Sequence, residues 1–427
     1  MTAADTAPAR AFPIRWLVTM VTFLVAGVSF LDRNNISIAA ASVQKDFGLS
    51  DQKMGVVFSA FVAGYALCQP LAGRVADRFG PHKVVTVGIL WWSLFTAAVA
   101  FVPAGQSWSL LALLGVLAAL GVGESVIFPS SNRLVAAWIP IPERGRANGL
   151  IFAGVGVGAS VAPPLITYLI LNHSWRWSFV ASAMIGVVAG LLWLGLVRSK
   201  PQDHPWISRA ELDKIETGIA GQGMDHGGAT LSHALRNPSI WLLSLSYFCY
   251  GYVAYIFFTW FFKYLSVVRG LNLKSSAVYA TLPFLAMAIG STLGGVISDR
   301  LTRRFGPRVG RSFFGSFALL LAGGFIWGVT SAHGAEVTAI ILAGGAGALY
   351  LSQSVYWSVS ADLGGRSAGS VSGVMNMSNQ IGGVVTASLT PYLAHAFGWN
   401  ASFLFAAVLC AVSAGCWLAI NPRPRAA

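Results

Sequence analysis

Twelve apolar runs, each long enough to cross a lipid bilayer, constrain this chain more than any other feature. They fall near 15–38, 54–73, 83–103, 108–131, 147–170, 177–197, 239–263, 277–298, 312–331, 335–359, 370–393 and 401–420. A bilayer's hydrocarbon core is about 30 Å thick, which asks for about 20 apolar residues in a helix. A helix satisfies all its backbone hydrogen bonds within itself. The expectation is an all-α integral membrane protein with twelve transmembrane helices. Composition agrees, with 55% hydrophobic and 10% charged residues against about 25% charged in soluble domains. The opening "MTAADTAPARAFPIRW" is short and polar, and the run after it is too long for a signal-peptide core. It reads as a retained first helix.

The one long polar stretch divides the runs six and six, giving a bundle over 1–197, a linker over 198–237 and a bundle over 238–427. Within the linker, "RAELDKIE" suits a short surface helix and the glycine-rich remainder suits a flexible tether. Twelve crossings put "GRVADRFGPHK", "IPERGR", the linker, "DRLTRRFGPRVGR", "GGR" and "NPRPRAA" on one side. The opposite loops are poorer in Lys and Arg, so both termini are expected in the cytoplasm, with a bacterial inner membrane as the setting. The same rule accounts for the net charge of +13 without a nucleic-acid partner.

The halves repeat. Gly73-x-x-x-Asp77-Arg78 recurs as Gly295-x-x-x-Asp299-Arg300 at an offset of 222, and Arg144 recurs as Arg366 at the same offset. "WRWSF" at Trp175 is echoed by "WNASF" at Trp399. A duplicated six-helix unit predicts two pseudo-symmetric bundles with a substrate site between them at mid-membrane.

With these motifs the sequence resembles the major facilitator superfamily over essentially its whole length. "FLDRNNISIAA", "GVGESVIFPSSNRLVAAWIPIPERGRA" and "YIFFTWFFKYLSVVRGL" are further similar to the anion–cation symporter family of sugar-acid and organic-anion carriers. The resemblance implies alternating access, with the loop motif acting as a gate. Asp77 and Asp299 are placed to accept from a neighbouring helix N-terminus or to pair with an arginine, with Gly73 permitting close approach. Arg78, Arg133, Arg144 and Arg300 are the other gate candidates. The plainer alternative is ordinary loop charge.

Few ionisable residues lie inside the runs, and such residues are normally functional. Arg33 suits a carboxylate, which it can grip with two parallel hydrogen bonds. Asp32 and Glu124 are the expected proton carriers, and the resemblance gives acids at these positions that role. In this reading Arg33 pairs with a carboxylate until a substrate anion displaces it and the freed acid takes a proton. A purely structural ion-pair cluster is the rival. Counting 1.5 Å per residue along each run places Asp32 towards the outside and Glu124 towards the inside, which suggests contacts made at different stages. Lys263 is expected to snorkel to the membrane interface.

A polar and aromatic lining completes the expected substrate wall: Tyr65 and Gln69 on the second helix, Tyr247 on the seventh, Tyr356 and Ser358 on the tenth, Asn376 and Asn379 on the eleventh. The resemblance implies substrate contact at Tyr65. It would also place glutamine at Tyr247 in a sugar-acid carrier, and an arginine at Leu117 in several relatives. Without that second cation, a monocarboxylate is favoured over a dicarboxylate or phosphate ester. "GVGVGAS" in the fifth helix reads as a packing seam. The four cysteines form no CxxC pair, the histidines have no metal-ligand spacing, and no nucleophile constellation occurs. Neither a metal, a cofactor nor an enzyme is expected. The expected function is proton-coupled symport of a small organic monocarboxylate by a monomer. The rivals are a proton-coupled exporter and a non-transporting ligand sensor.

Overall fold

The computed structural model describes residues 12–219, 236–261, 264–270 and 273–422. Among these residues the chain is helical wherever it is regular. The first half comprises α1 (Ile14–Ile38), the short α2 (Ala40–Phe47), α3 (Asp51–Phe79), α4 (Pro81–Phe101), α5 (Ser109–Glu124), α6 (Ile127–Trp138), α7 (Arg144–Asn172) and α8 (Trp175–Leu196). A linker helix α9 (Arg209–Ile219) precedes α10 (Pro238–Thr259), α11 (Leu273–Phe305), α12 (Phe314–Gly328), α13 (Ala335–Leu351), α14 (Gln353–Gly364), α15 (Ala368–Phe397) and α16 (Trp399–Ala419). Eleven segments are long and apolar enough to cross a membrane, and α15 supplies the twelfth span by its 30-residue length and central position. The fourth and tenth spans are each two helices end to end, α5–α6 and α13–α14. The glycine-rich part of the linker and Lys263 lie outside the described residues.

The repeat is visible in the turns. The "FGP" after α3 and again after α11 places Gly80 and Gly306 at φ 85° and 86°, which only glycine adopts freely, and proline follows in each. The packing seams are built from small residues. A Cβ on Gly158 would stand 2.0 Å from the Gly27 carbonyl oxygen, and one on Gly154 2.3 Å from that of Phe23, so "GVGVGAS" is where α7 meets α1. Between the two halves, α3 lies along α15 and α7 along α11, and Asn376 Nδ2 donates to Gln69 Oε1 at 3.1 Å midway along the first of these seams.

The linker helix is docked. The Glu211 carboxylate accepts from the backbone N–H groups of Ile14 (2.9 Å) and Arg15 (3.1 Å), capping α1 from outside. Arg15 joins Glu211 to Glu143, and Lys214 adds a second contact to Glu143.

Candidate substrate site and gates

Asp32 and Arg33 stand in the last two turns of α1, and adjacent helical residues point about 100° apart. The two charges therefore face different neighbours. Arg33 faces the other half. Its Nη2 donates to Glu124 Oε2 at 3.0 Å, with side chains 14% and 0% exposed. Rings surround the guanidinium, whose carbon stands 4.4 Å from the Tyr65 centroid, 4.5 Å from Phe30 and 5.1 Å from Phe61. Glu124 is the last residue of α5, where the span changes to α6. Gln69 Nε2 donates to the Ser125 carbonyl at this junction, 3.0 Å away. The long Arg33 side chain reaches Glu124 across the axial gap that the rise per residue implies, and the two acids do not share this contact.

Asp32 points into the N-terminal bundle, towards Ser182 on α8 and Trp92 on α4. Among the described residues no ion pair joins it to Arg33 or to the C-terminal half, and neither carboxyl oxygen accepts a hydrogen bond.

On the facing wall stands Tyr255, one of the phenols of "SYFCYGYVAYIFF". It stands at the repeat offset of 222 from Arg33, near the guanidinium, and its hydroxyl donates to Gln380. Aromatic rings run on from Arg33: Phe30 lies 5.8 Å from Phe258 and 6.2 Å from Phe128, which stacks on Phe152 at 5.2 Å, and Trp357 closes over Phe152 at 5.1 Å. Tyr247 accepts from Gln353 Nε2 and Trp357 Nε1, both at 2.9 Å. Several buried polar atoms here lack a hydrogen bond among the described residues: Arg33 Nε, Glu124 Oε1, Tyr65 Oη, Tyr250 Oη, Gln353 Oε1 and Asn379 Oδ1. Buried polar groups are normally paired, and such a cluster marks a place where a polar ligand would complete the bonding. The helices supplying the C-terminal wall, α10, α14 and α15, contribute no Lys or Arg among their described residues.

Three expected residues are placed elsewhere. The Tyr356 hydroxyl lies between Ser246 (2.6 Å) and Ser413 (2.9 Å), tying α14 to α10 and α16 and away from Arg33. Asn376 is engaged with Gln69. Ser358 receives Asn148 Nδ2 at 3.3 Å and donates to its own helix, which makes it part of the seam between halves. Leu117 is buried in the apolar core.

Both gates are made. Asp77 accepts from the N–H groups of Gly369 (3.1 Å) and Ser370 (2.9 Å) and from the Ser370 hydroxyl (2.7 Å), at the N-terminus of α15. Arg133 stands 3.6 Å from the same carboxylate. Asp299 accepts from the N–H groups of Gly145 (3.0 Å) and Arg146 (2.6 Å), at the N-terminus of α7, and pairs with Arg311 at 3.1 Å. Arg144 crosses to Asp362 in the other half at 2.7 Å. Arg78 and Arg300 are exposed, and Arg78 covers the Phe79 ring, so the structure does not bring either to a latch. Arg311 was not expected from the sequence, where it reads as one more loop charge.

Comparison with known proteins agrees with this architecture. Residues 22–387 match the family model of the Major Facilitator Superfamily. The chain is 32% identical over 419 residues to a probable sulfoacetate transporter, SauU, of Cupriavidus necator, covering 96% of this chain and 94% of the relative. It is 31% identical to the hexuronate transporter of Bacillus subtilis, covering 91% and 90%. A solved proton:xylose symporter, XylE, superposes with a TM-score of 0.77 at 13% identity over 94% of each chain, a likeness of fold. The chain is a multi-pass membrane protein and a transporter, and it belongs to the Major Facilitator Superfamily.

Proposed function

We propose that the protein carries a small organic monocarboxylate together with a proton, by alternating access between bundles over 1–197 and 238–427. The observation that carries this reading is the setting of Arg33. It is a buried guanidinium at the interface between halves, held by one carboxylate, with Nε still without a partner and no second cation among the described residues of the opposite wall. A buried ion pair is a poor source of stability compared with apolar packing. It is a good exchangeable contact. An incoming carboxylate competes for Arg33, and Glu124, once released into apolar surroundings, takes a proton. Anion and proton then favour each other's binding by linkage. Asp32, enclosed in the N-terminal bundle, is the second proton carrier of this reading.

The names of the relatives support an organic-anion substrate, and the aromatic lining supports a flat or partly apolar body attached to the carboxylate. Tyr250, Gln353 and Asn379 are placed to meet hydroxyl or carbonyl groups at its far end. In this reading the latch end faces the cytoplasm of a bacterial cell, as the Lys and Arg distribution requires, and the protein works as a monomer.

The test uses purified protein in liposomes containing a pH dye, challenged with hexonates, hexuronates, sulfoacetate, short hydroxy acids and aromatic carboxylates that do not permeate empty liposomes. One acid is expected to acidify the interior, and Arg33→Ala abolishes that signal. Glu124→Gln is expected to keep exchange of bound substrate and lose proton-driven accumulation. Accumulation by Glu124→Gln at the wild-type level would remove Glu124 from coupling, and acid-independent behaviour across the panel would remove the anion reading.

A further inference from the structure

The chain between the bundles is fastened at the latch end by a histidine whose two ring nitrogens are both committed. His204 is 4% exposed and follows the short turn Pro201–Asp203. Its Nε2 lies 3.2 Å from the carbonyl oxygen of Leu196, the last residue of α8. A carbonyl can only accept, so Nε2 carries the hydrogen. Its Nδ1 lies 3.3 Å from the Trp206 backbone nitrogen, and a backbone N–H can only donate, so Nδ1 carries none. Two backbone groups therefore hold the ring as one neutral tautomer. It stands edge-on between Trp138 at 5.7 Å and Trp206 at 5.5 Å. Trp138, the last residue of α6, donates its indole N–H to the Arg198 carbonyl at 2.9 Å. Ser199 Oγ accepts from the His82 N–H at the start of α4, 3.1 Å away, and Gln202 Nε2 donates to Glu216 of α9 at 2.8 Å. Residues 198–206 thus join the N-terminal bundle to the helix that caps α1.

His82 provides a contrast. It reaches the same helix end, Nε2 to the Leu194 carbonyl at 3.3 Å, through one ring nitrogen only among the described residues. A second proton there breaks no bond, and a cation at a helix C-terminus is favoured. On His204 a second proton can go only to Nδ1, where it meets the Trp206 N–H head on. The charges whose fields reach the His204 ring are Arg198, turned back onto the Leu194 and Val197 carbonyls, and Glu211, engaged with α1. Lys200 and Asp203 flank it in its own segment, and α9 also carries Arg209, Asp213, Lys214 and Glu216. The one charged residue of α6 is Arg133, beside Asp77, and that of α8 is Arg176, at its far end beside Asp46.

We propose that His204 is a pH-sensitive pin: neutral, it docks the inter-bundle linker on the N-terminal bundle, and protonated, it releases residues 198–206 and slackens the hold of α9. Burial pushes the ring's pKa below its ordinary value and Arg198 adds to this, while the Leu196 carbonyl and Glu211 oppose it. A base whose pKa is lowered by docking weakens docking in acid. Its contribution is fully present above the ordinary histidine pKa of about 6.5 and is lost as the pH falls from there through the lowered value. The physiological meaning rests on the reading that the latch end faces the cytoplasm and that uptake brings protons there. Acid accumulating on that side then loosens the segment whose helix binds Arg15 and Glu143, next to the loop that receives Asp299. Transport would thereby act back on the gate through the linker.

The test needs no substrate. Spin labels are placed on the full-length protein in lipid through Arg78→Cys and Ala210→Cys, both exposed positions, in a Cys68→Ser background. The distance between them reports whether α9 stays on the bundle. In the otherwise wild-type protein the longer distance is expected to be several-fold more populated at about pH 5.5 than at about pH 8, an interval that spans the ordinary histidine pKa. His204→Gln offers one N–H donor and one carbonyl acceptor, as the neutral ring does, and takes no proton. It is expected to stay docked across the interval, and His82→Gln to respond as the wild type does. Release by acid that persists in His204→Gln would assign the pH dependence to the carboxylates of α9 and overturn the pin. A wild-type distance indifferent to pH overturns it as well. Should His204→Gln fail to fold, His204→Asn replaces it with the same two outcomes. The distances are read without a transported anion, so failure of the pin and failure of the symport reading show in different assays.

Discussion

The two latches are copies of one device, yet they are stabilised differently. In each, an aspartate at the end of a helix accepts from the first N–H groups of a helix in the opposite half, where the dipole favours negative charge. Asp77 does this with α15 and Asp299 with α7. The arginines that accompany them are unrelated. At the offset of 222 the position matching Arg133 is Val355, and counted from the matching glycines Gly80 and Gly306 the position matching Arg311 is Val85. Arg311 and Asp299 are 1% and 4% exposed and 3.1 Å apart, whereas Arg133 and Asp77 are 28% and 16% exposed and 3.6 Å apart. Arg144 adds a further asymmetry, because the position matching its partner Asp362 is Pro140. Duplication preserved the acceptor and left the countercharge to be supplied locally. One latch is wet and one is dry.

The dry latch should therefore break harder. Asp299→Asn leaves the Arg311 guanidinium buried without a countercharge, a situation that costs about 3–5 kcal/mol. Asp77→Asn leaves Arg133 within reach of water, and the amide oxygen can still accept one N–H, so its cost should be about 1–2 kcal/mol. Thermal unfolding of the two variants in the same detergent checks the order, and an equal or reversed order would show that burial does not set latch strength. The glycines sharpen the comparison from the other side. A Cβ on Gly295 would stand 2.1 Å from the Gly145 carbonyl oxygen, and one on Gly73 2.3 Å from that of Gly369. Backbone cannot yield as a side chain can, so Gly295→Ala and Gly73→Ala should each disfavour the closed latch by about 1–3 kcal/mol. Spin-label distances across α3–α15 and α7–α11 should lengthen to a similar degree in both. A response from one alone would mean that the seams, like the arginines, have diverged.

What the sequence made legible follows the repeat. Asp77 and Asp299 stood out because each supports the other, and Arg33 and Glu124 because charge is rare in apolar runs. Which acid Arg33 holds was less legible, because rise per residue locates a Cα but not the tip of an arginine side chain. Tyr356 illustrates a second limit. A phenol on a helix buried on all sides has several possible partners, and Ser246 and Ser413 lie on helices far away in sequence. Arg311 was hidden in "GPRVGR", where a turn into the α11–α12 corner carries what looks like surface charge into the interior. Carrying Arg33 forward at the repeat offset singles out Tyr255 among the phenols of its helix.

The smallest effect expected concerns the linker helix α9, whose ion pairs and cap contacts among the described residues go to the half that holds the wet latch's aspartate. Glu211 caps α1 and binds Arg15, and Arg15 reaches Glu143, immediately before the Arg144–Arg146 segment that receives Asp299. The linker helix thus braces the loop on which the dry latch closes, at one remove. Glu211→Gln keeps the shape and an acceptor but loses the charge, for a cost of about 1 kcal/mol, since a capping carboxylate contributes on that order. Lys214→Ala removes an ion pair whose lysine is 52% exposed, and exposed pairs contribute little. Melting curves at low and high salt separate the two, because salt screens exposed pairs and largely spares buried ones. Glu211→Gln should lower the melting temperature at both salt concentrations, and Lys214→Ala should act, if measurably, only at low salt. A second comparison decides whether the brace belongs to the gate. Combined with Asp299→Asn, Glu211→Gln should be less than additive, because the loop it steadies has already lost its partner. Combined with Asp77→Asn it should be additive, since α15 does not touch that loop through Asp77. Additivity with both would confine Glu211 to holding α1, and coupling to Asp77 alone would reverse the assignment of the brace to the dry latch.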